Sequence, residues 1–268
     1  MTNDTLQPVS YLFYTLNIWL CGTAVLMVVA AAVAVSIPLR SVGSGLLLAP
    51  LLFYVIYVED RRTPSAEDWI NDPDRTRIVH QYRTELRRTE WLALAGYQLL
   101  LVGQLLGHPG RAVGYWLLGQ LPFVVLAGYG SLKRYPTFDS IAVGATWAFM
   151  IVFSLVVSTG QPVTTPVLLV FGGWFVITFA GVESRNANDL DGDSAVDKTT
   201  LAGYLGTTAT RRMELLFKAL GVCLFWYVGD IWAAGIVLVY LLLLRVFRER
   251  TRQQAAYSKL LADRPDPN

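Results

Sequence analysis

The chain has 268 residues, of which 54% are hydrophobic and 16% charged, and its formal net charge is +2. Soluble domains average about 25% charged residues, so this composition excludes an ordinary soluble globular protein and predicts a single all-α bundle in a membrane over residues 1–268. Cys21 and Cys223 sit in apolar stretches, and neither they nor His80 and His108 have the spacing of a disulfide framework or a zinc site; no nucleic-acid partner is expected.

Residues Met1–Ser10 are polar and lack the basic start of a signal peptide, so the apolar run after them reads as a first membrane helix rather than a cleaved leader. Eight stretches are apolar and long enough to cross about 30 Å of hydrocarbon. They are Tyr11–Ile37, Val42–Val58, Trp91–Leu106, Ala112–Gly128, Ser140–Ser158, Thr165–Val182, Leu215–Gly229 and Ile231–Leu244. The connections after the first, third, fifth and seventh contain only Arg40 and Arg111 as basic residues. Those after the second, fourth, sixth and eighth hold 19 of the 22 lysines and arginines; Lys218 lies within the seventh stretch. Positive residues stay on the cytoplasmic side, so all four basic connections are expected there. Both termini are expected there too, with 248–268 as a polar tail that frays at Asp263–Asn268.

Two of the cytoplasmic connections, Glu59–Glu90 and Glu183–Glu214, are far longer than the roughly 2–8 residues usual between bundle helices. The first contains Glu59-Asp60 and Glu67-Asp68, separated by Pro64, which interrupts any continuous helix. By itself it reads as a surface loop whose Arg61 and Arg62 neutralise neighbouring acids. The basic turn Tyr129-Gly-Ser-Leu-Lys133-Arg134 reads either as a stop signal at the cytoplasmic boundary or as a phosphate clamp. In the second reading Tyr129 stands one helical turn before Lys133, with lysine as a point charge and arginine as a fork.

In the second long connection Asp189, Asp193 and Asp197 recur every four residues, which on a helix puts three carboxylates on one face. Such charges repel unless a cation holds them, and hard oxygen ligands suit Mg²⁺. Gly192 opposes a strictly helical reading by about 1 kcal/mol, and a solvated acidic loop is the alternative. Taken together, two acidic loops and one basic turn on the same membrane face suit a diphosphate substrate. Mg²⁺ would bridge carboxylate to phosphate there, and cations would take up the leaving charge.

The stretch Asn188-Asp-Leu-Asp-Gly-Asp193-Ser-Ala-Val-Asp-Lys198-Thr-Thr-Leu-Ala-Gly-Tyr-Leu-Gly206 resembles the second aspartate motif, DxxGDxxxGKxTLxxxLG, of the UbiA superfamily of intramembrane prenyltransferases. The Tyr129–Arg134 turn is similar to that family's YxxxK element. The resemblance implies that Asp189 and Asp193 bind Mg²⁺–diphosphate, that Lys198 touches the diphosphate, and that Tyr129 and Lys133, with Arg134, stand near it as it leaves. The family's first motif is NDxxDxxxD followed by NxPxR. Asn71, Pro73 and Arg75 fit that tail and put Asp68 at its last aspartate. Glu59 replaces the opening asparagine, one residue is inserted, and Thr63 or Pro64 falls where the middle aspartate belongs, leaving Asp60, Glu67 and Asp68 as implied ligands. The family commonly has nine spans against eight counted here; the ninth is absent, or Ala255–Leu261 is its remnant at the interface.

What the resemblance implies is Mg²⁺-dependent transfer of a prenyl group from a prenyl diphosphate to a lipophilic acceptor among the membrane lipids. A terpene cyclase on the same fold and a non-catalytic relative are the nearest alternatives. A transporter is disfavoured, because Lys218 is the only cation in an apolar stretch and no internal repeat is seen.

Overall fold

The computed structural model describes residues 13–14, 18–64, 66–132, 135, 137–195 and 200–262, the side chains of residues 67, 131, 132, 191 and 252–262 excepted. Among these residues no strand occurs, and eleven α-helices follow one another. They are α1 (Trp19–Ala34), α2 (Gly45–Arg62), α3 (Ala66–Asn71), α4 (Pro73–Gln81), α5 (Arg83–Leu106) and α6 (Ala112–Leu132), then α7 (Phe138–Thr159), α8 (Thr165–Asn186), α9 (Leu190–Ala195), α10 (Leu201–Val228) and α11 (Ile231–Ala262).

The eight long helices coincide in order with the eight predicted stretches, but most run further. α2 continues to Arg62, α5 begins at Arg83, α8 ends at Asn186 and α10 begins at Leu201. Hydropathy marks the part of a helix that is apolar all round, whereas the backbone ladder continues into polar residues as long as nothing breaks it. Where the ladder does break, the cause is local. α1 stops before Ser36, whose φ is +57°, and Pro38; α2 stops before Pro64; Pro73 sits at the start of α4, where its missing N–H costs nothing. Gly206, at φ +78°, kinks α10, and Thr200 caps that helix by accepting from the Gly203 N–H at 3.2 Å.

Two expectations change as a result. The long acidic connections are largely helical, through α3, α4 and α9, and residues 248–262 of the polar tail continue the eighth long helix, α11. Asp263–Asn268 lie outside the described residues.

The long helices pack side by side as α1–α2–α5–α6–α7–α8–α10–α11, and α11 closes back on α1. Their inner faces share one apolar core, in which Trp174 meets Phe225 and Tyr240 edge-on. Small residues let backbones approach closely. A Cβ at Gly221 would lie 2.4 Å from Ile177, and one at Gly229 would lie 2.4 Å from the Ala34 backbone.

The outer faces are apolar as well: Leu92, Leu99 and Leu106 of α5, Val113, Leu117 and Val124 of α6, and Leu215 and Leu216 of α10 are exposed. Such a surface needs lipid around it. Among the described residues, four helical segments, Pro109–Gly130, Phe138–Thr159, Thr165–Asn186 and Ile231–Thr251, are long and apolar enough to cross a membrane, and Trp19–Ala34 is apolar but shorter. Exposed Trp226, Tyr227 and Trp232 gather at the turn between α10 and α11, as aromatic side chains do at a membrane–water boundary.

Candidate active site

At the end of the bundle where α2, α6 and α8 terminate, a cavity of about 270 Å³ opens between the helices. The last turn of α2 presents Tyr57, Asp60 and Arg61 to it, three and four residues apart and so on one face. From α3 come Asp68 and Asn71, from the end of α6 Tyr129, and from the start of α7 Asp139. Arg185 and Asn186 close α8 above it, followed by Asp189 and, from α9, Asp193. The deeper walls are apolar, formed by Phe53, Ile56, Val125, Leu126, Trp147 and Met150.

The two acidic connections touch. α9 packs on α3, and the bare face of Gly192 receives Asn71, whose Oδ1 lies 1.9 Å from where a Cβ at 192 would be. Any side chain at 192 would displace Asn71, which explains the glycine that opposed a helical reading of this segment.

Arginines bind the site together. Asp68 Oδ1 lies 3.7 Å from Arg61 Nη1 and 3.4 Å from Arg75 Nη2, and Arg75 Nη1 lies 2.5 Å from Asp72 Oδ2. Thr76 Oγ1 donates to the Asp68 and Asp72 carbonyls at 3.0 and 2.9 Å, fixing the turn that holds both acids. On the other side Arg185 Nε donates to Asp189 Oδ2 at 3.2 Å, one helical turn away. Burial, together with the nearby charges of Arg61 and Arg185, pushes the Arg75 guanidinium down to about 10. Arg62 turns away from the cavity and bridges Glu59 and, at 3.1 Å, Glu90.

Across the cavity the Tyr129 hydroxyl donates to Asp139, which is buried. Beneath this pair Ser140 donates to the buried Glu183 and accepts from Asn186 Nδ2 at 3.3 Å, which ties α7 to α8. On the remaining wall Lys218 of α10, ion-paired with Glu214, lines the cavity with Arg248 and Tyr240 of α11.

Of the residues expected at the site, Asp60, Asp68, Tyr129, Asp189 and Asp193 line this one cavity. Lys133, Arg134, Asp197 and Lys198 lie outside the described residues, as does the Glu67 side chain. Arg61, Arg185 and Asp139 line it unforeseen. Arg61 and Arg185 carried a sequence signal, each lying one residue or one turn from a motif aspartate; Asp139, beyond the basic turn and at the mouth of an apolar helix, carried none.

Among the described residues no three His, Cys, Asp or Glu side chains converge closely enough to hold a metal ion by themselves. The carboxylates of Asp60, Asp189 and Asp193 around an open cavity fit the other mode of binding, in which Mg²⁺ takes one or two carboxylates and completes its shell with phosphate oxygens.

The model of the UbiA prenyltransferase family matches residues 65–262. No curated protein matches the sequence significantly. Among solved structures, a UbiA homologue from Archaeoglobus fulgidus, determined bound to GPP and Mg²⁺, superposes with a TM-score of 0.51 at 16% identity, covering 96% of this chain and 89% of that one. At this identity the likeness speaks to the fold.

Proposed function

Because the chain belongs to the UbiA prenyltransferase family, we propose that it transfers a prenyl group from a prenyl diphosphate to a lipophilic acceptor within the membrane, with Mg²⁺ as cofactor. The observation that supports this most directly is the shared cavity, which joins Asp60, Asp189 and Asp193 at a charged end to walls of Phe53, Val125, Trp147 and Met150. A diphosphate head needs the first and an isoprenoid tail the second. GPP and Mg²⁺, the pair bound by the archaeal homologue, combine these two chemistries.

Bound Mg²⁺ supplies positive charge to the diphosphate oxygens and so lowers the barrier to breaking the allylic C–O bond. Asp60, Asp189 and Asp193 offer the carboxylate oxygens for it, and Glu67 is proposed as a further ligand on its sequence position alone. Asp68 acts through the two arginines it holds, Arg61 and Arg75. Tyr129, oriented by Asp139, stands where the charged end meets the apolar wall, beside the leaving diphosphate. Lys133, Arg134 and Lys198 are proposed as further diphosphate contacts on their sequence positions alone. The C–O bond breaks with its electron pair going to diphosphate. The acceptor then bonds to the allylic carbon and loses a proton, in a cavity whose walls exclude water.

We take the eight long helices to cross the membrane, with the cavity end cytoplasmic, because 19 of the 22 basic residues lie in the connections at that end. The test of function is product analysis by mass spectrometry, with purified protein in nanodiscs, geranyl diphosphate, Mg²⁺ and a lipid extract as the acceptor source. A geranylated lipid with matching diphosphate release is expected. Cyclic hydrocarbon without acceptor would make the protein a cyclase, and no diphosphate release would refute the reading.

A further inference from the structure

We propose that Arg61 and Arg185 take up charge on the bound diphosphate in place of a second magnesium ion, so that this cavity binds a prenyl diphosphate with a single divalent cation. The inference rests on the reading of the cavity as a diphosphate site.

Among the described side chains of the first acidic segment, little carboxylate is left to hold an ion of its own. Thr63 or Pro64 stands where a middle aspartate was expected. Glu59 is bound by Arg62, on a side chain that also reaches Glu90. The Asp68 carboxylate lies between Arg61 and Arg75, with its Oδ1 within 3.7 Å of one guanidinium and 3.4 Å of the other. What α2 presents to the cavity is therefore Asp60 next to a guanidinium.

The second segment repeats the arrangement. Arg185 lines the cavity one turn before Asp189 and already bonds it at 3.2 Å. Arg61 and Arg185 are close enough to Arg75 that their charges act on it. Arg61 and Arg185 each set a fixed positive charge beside a cavity aspartate, which offsets the pull of Asp60 and Asp189 on a second dication and offers counter-charge to an anion. Their planar forks match phosphate oxygens two at a time. The absence, among the described residues, of three acids converging on one point agrees with an ion held mainly by its substrate.

The test replaces Mg²⁺ with Mn²⁺ and counts bound ions by electron paramagnetic resonance as purified protein is titrated with inorganic diphosphate. One Mn²⁺ per diphosphate, with an uncoupled spectrum, is expected. Two exchange-coupled Mn²⁺ ions per site would overturn the inference and leave the diphosphate site standing. No diphosphate binding would overturn the site itself. Arg61→Gln and Arg185→Gln should each weaken diphosphate binding about tenfold or more without changing the ion count. Unchanged affinity in Arg185→Gln, whose side chain is 42% exposed and tolerates substitution even if Arg61→Gln fails to fold, would also overturn it.

Discussion

Asn71 lies directly over Gly192, with no room between them for a methyl group: a Cβ at 192 would be 1.9 Å from Asn71 Oδ1 and 2.5 Å from its Cγ. These two residues are 121 positions apart in the chain, and their contact brings the two acidic segments to one cavity. A side chain at 192 must push α3 away from α9. Gly192→Val should therefore weaken inorganic diphosphate binding about tenfold or more, a loss of roughly 1.4 kcal/mol, while helix content by circular dichroism is unchanged. Calorimetric titration giving a wild-type dissociation constant would show that the contact is incidental.

Asp189 and Asp193 face the cavity from either side of the turn into α9, and Asp193 is almost fully buried. Asparagine keeps the shape of either residue and removes its charge. Asp189→Asn and Asp193→Asn should each lower turnover about a hundredfold or more and still elute as folded protein from a sizing column in detergent. Chelating Mg²⁺ with EDTA should abolish turnover in the parent, and added Mg²⁺ should restore it. Normal rates in both variants would remove them from the reaction.

The Tyr129 hydroxyl donates to Asp139, joining the end of α6 to the start of α7 beside the cavity. A hydrogen bond to a charged group contributes about 1.5–3 kcal/mol. If it positions Tyr129 for the reaction, Tyr129→Phe and Asp139→Asn should each reduce kcat about ten- to a hundredfold with a smaller effect on KM. Because the two act as one unit, the double variant should be no worse than the poorer single one. Additive losses would separate their roles.

Close packing of α8 against α10 depends on Gly221, where a Cβ would meet Ile177 at 2.4 Å and the Gly173 carbonyl oxygen at 3.1 Å. Gly221→Val should destabilise the bundle by about 1–3 kcal/mol, seen as a lower melting temperature in detergent. Gly235, in the middle of an apolar stretch of α11, has nothing within 4 Å of its Cβ position. Gly235→Ala should raise stability by up to about 1 kcal/mol through helix propensity. The contrast between the two glycines is the measurement; equal effects would contradict the packing.

Much of this was legible before folding, for reasons that are local. A helix that must lie in apolar surroundings shows it in its own composition, so the order and number of the long helices could be read from Tyr11 to Leu244. Their ends could not. α2 carries Asp60 on its last turn and α8 carries Arg185 on its own, because a helix runs on through polar residues until a proline or a left-handed residue stops it. The two supposed loops also hold short helices of their own, α3, α4 and α9. The Arg61 reading was half complete: it does neutralise an acid, Asp68, but it also faces the cavity.

By itself, the sequence determined the class of protein, the side of the bundle that carries charge, and the aspartates worth testing, since composition and spacing along one helix face depend on near neighbours alone. Tertiary structure alone decided which charges meet. Asn71 on Gly192, Asp68 between Arg61 and Arg75, and Tyr129 on Asp139 are set by how α2, α6, α7 and α8 pack, and the balance of attraction and repulsion at the cavity depends on distances that spacing along the chain does not encode.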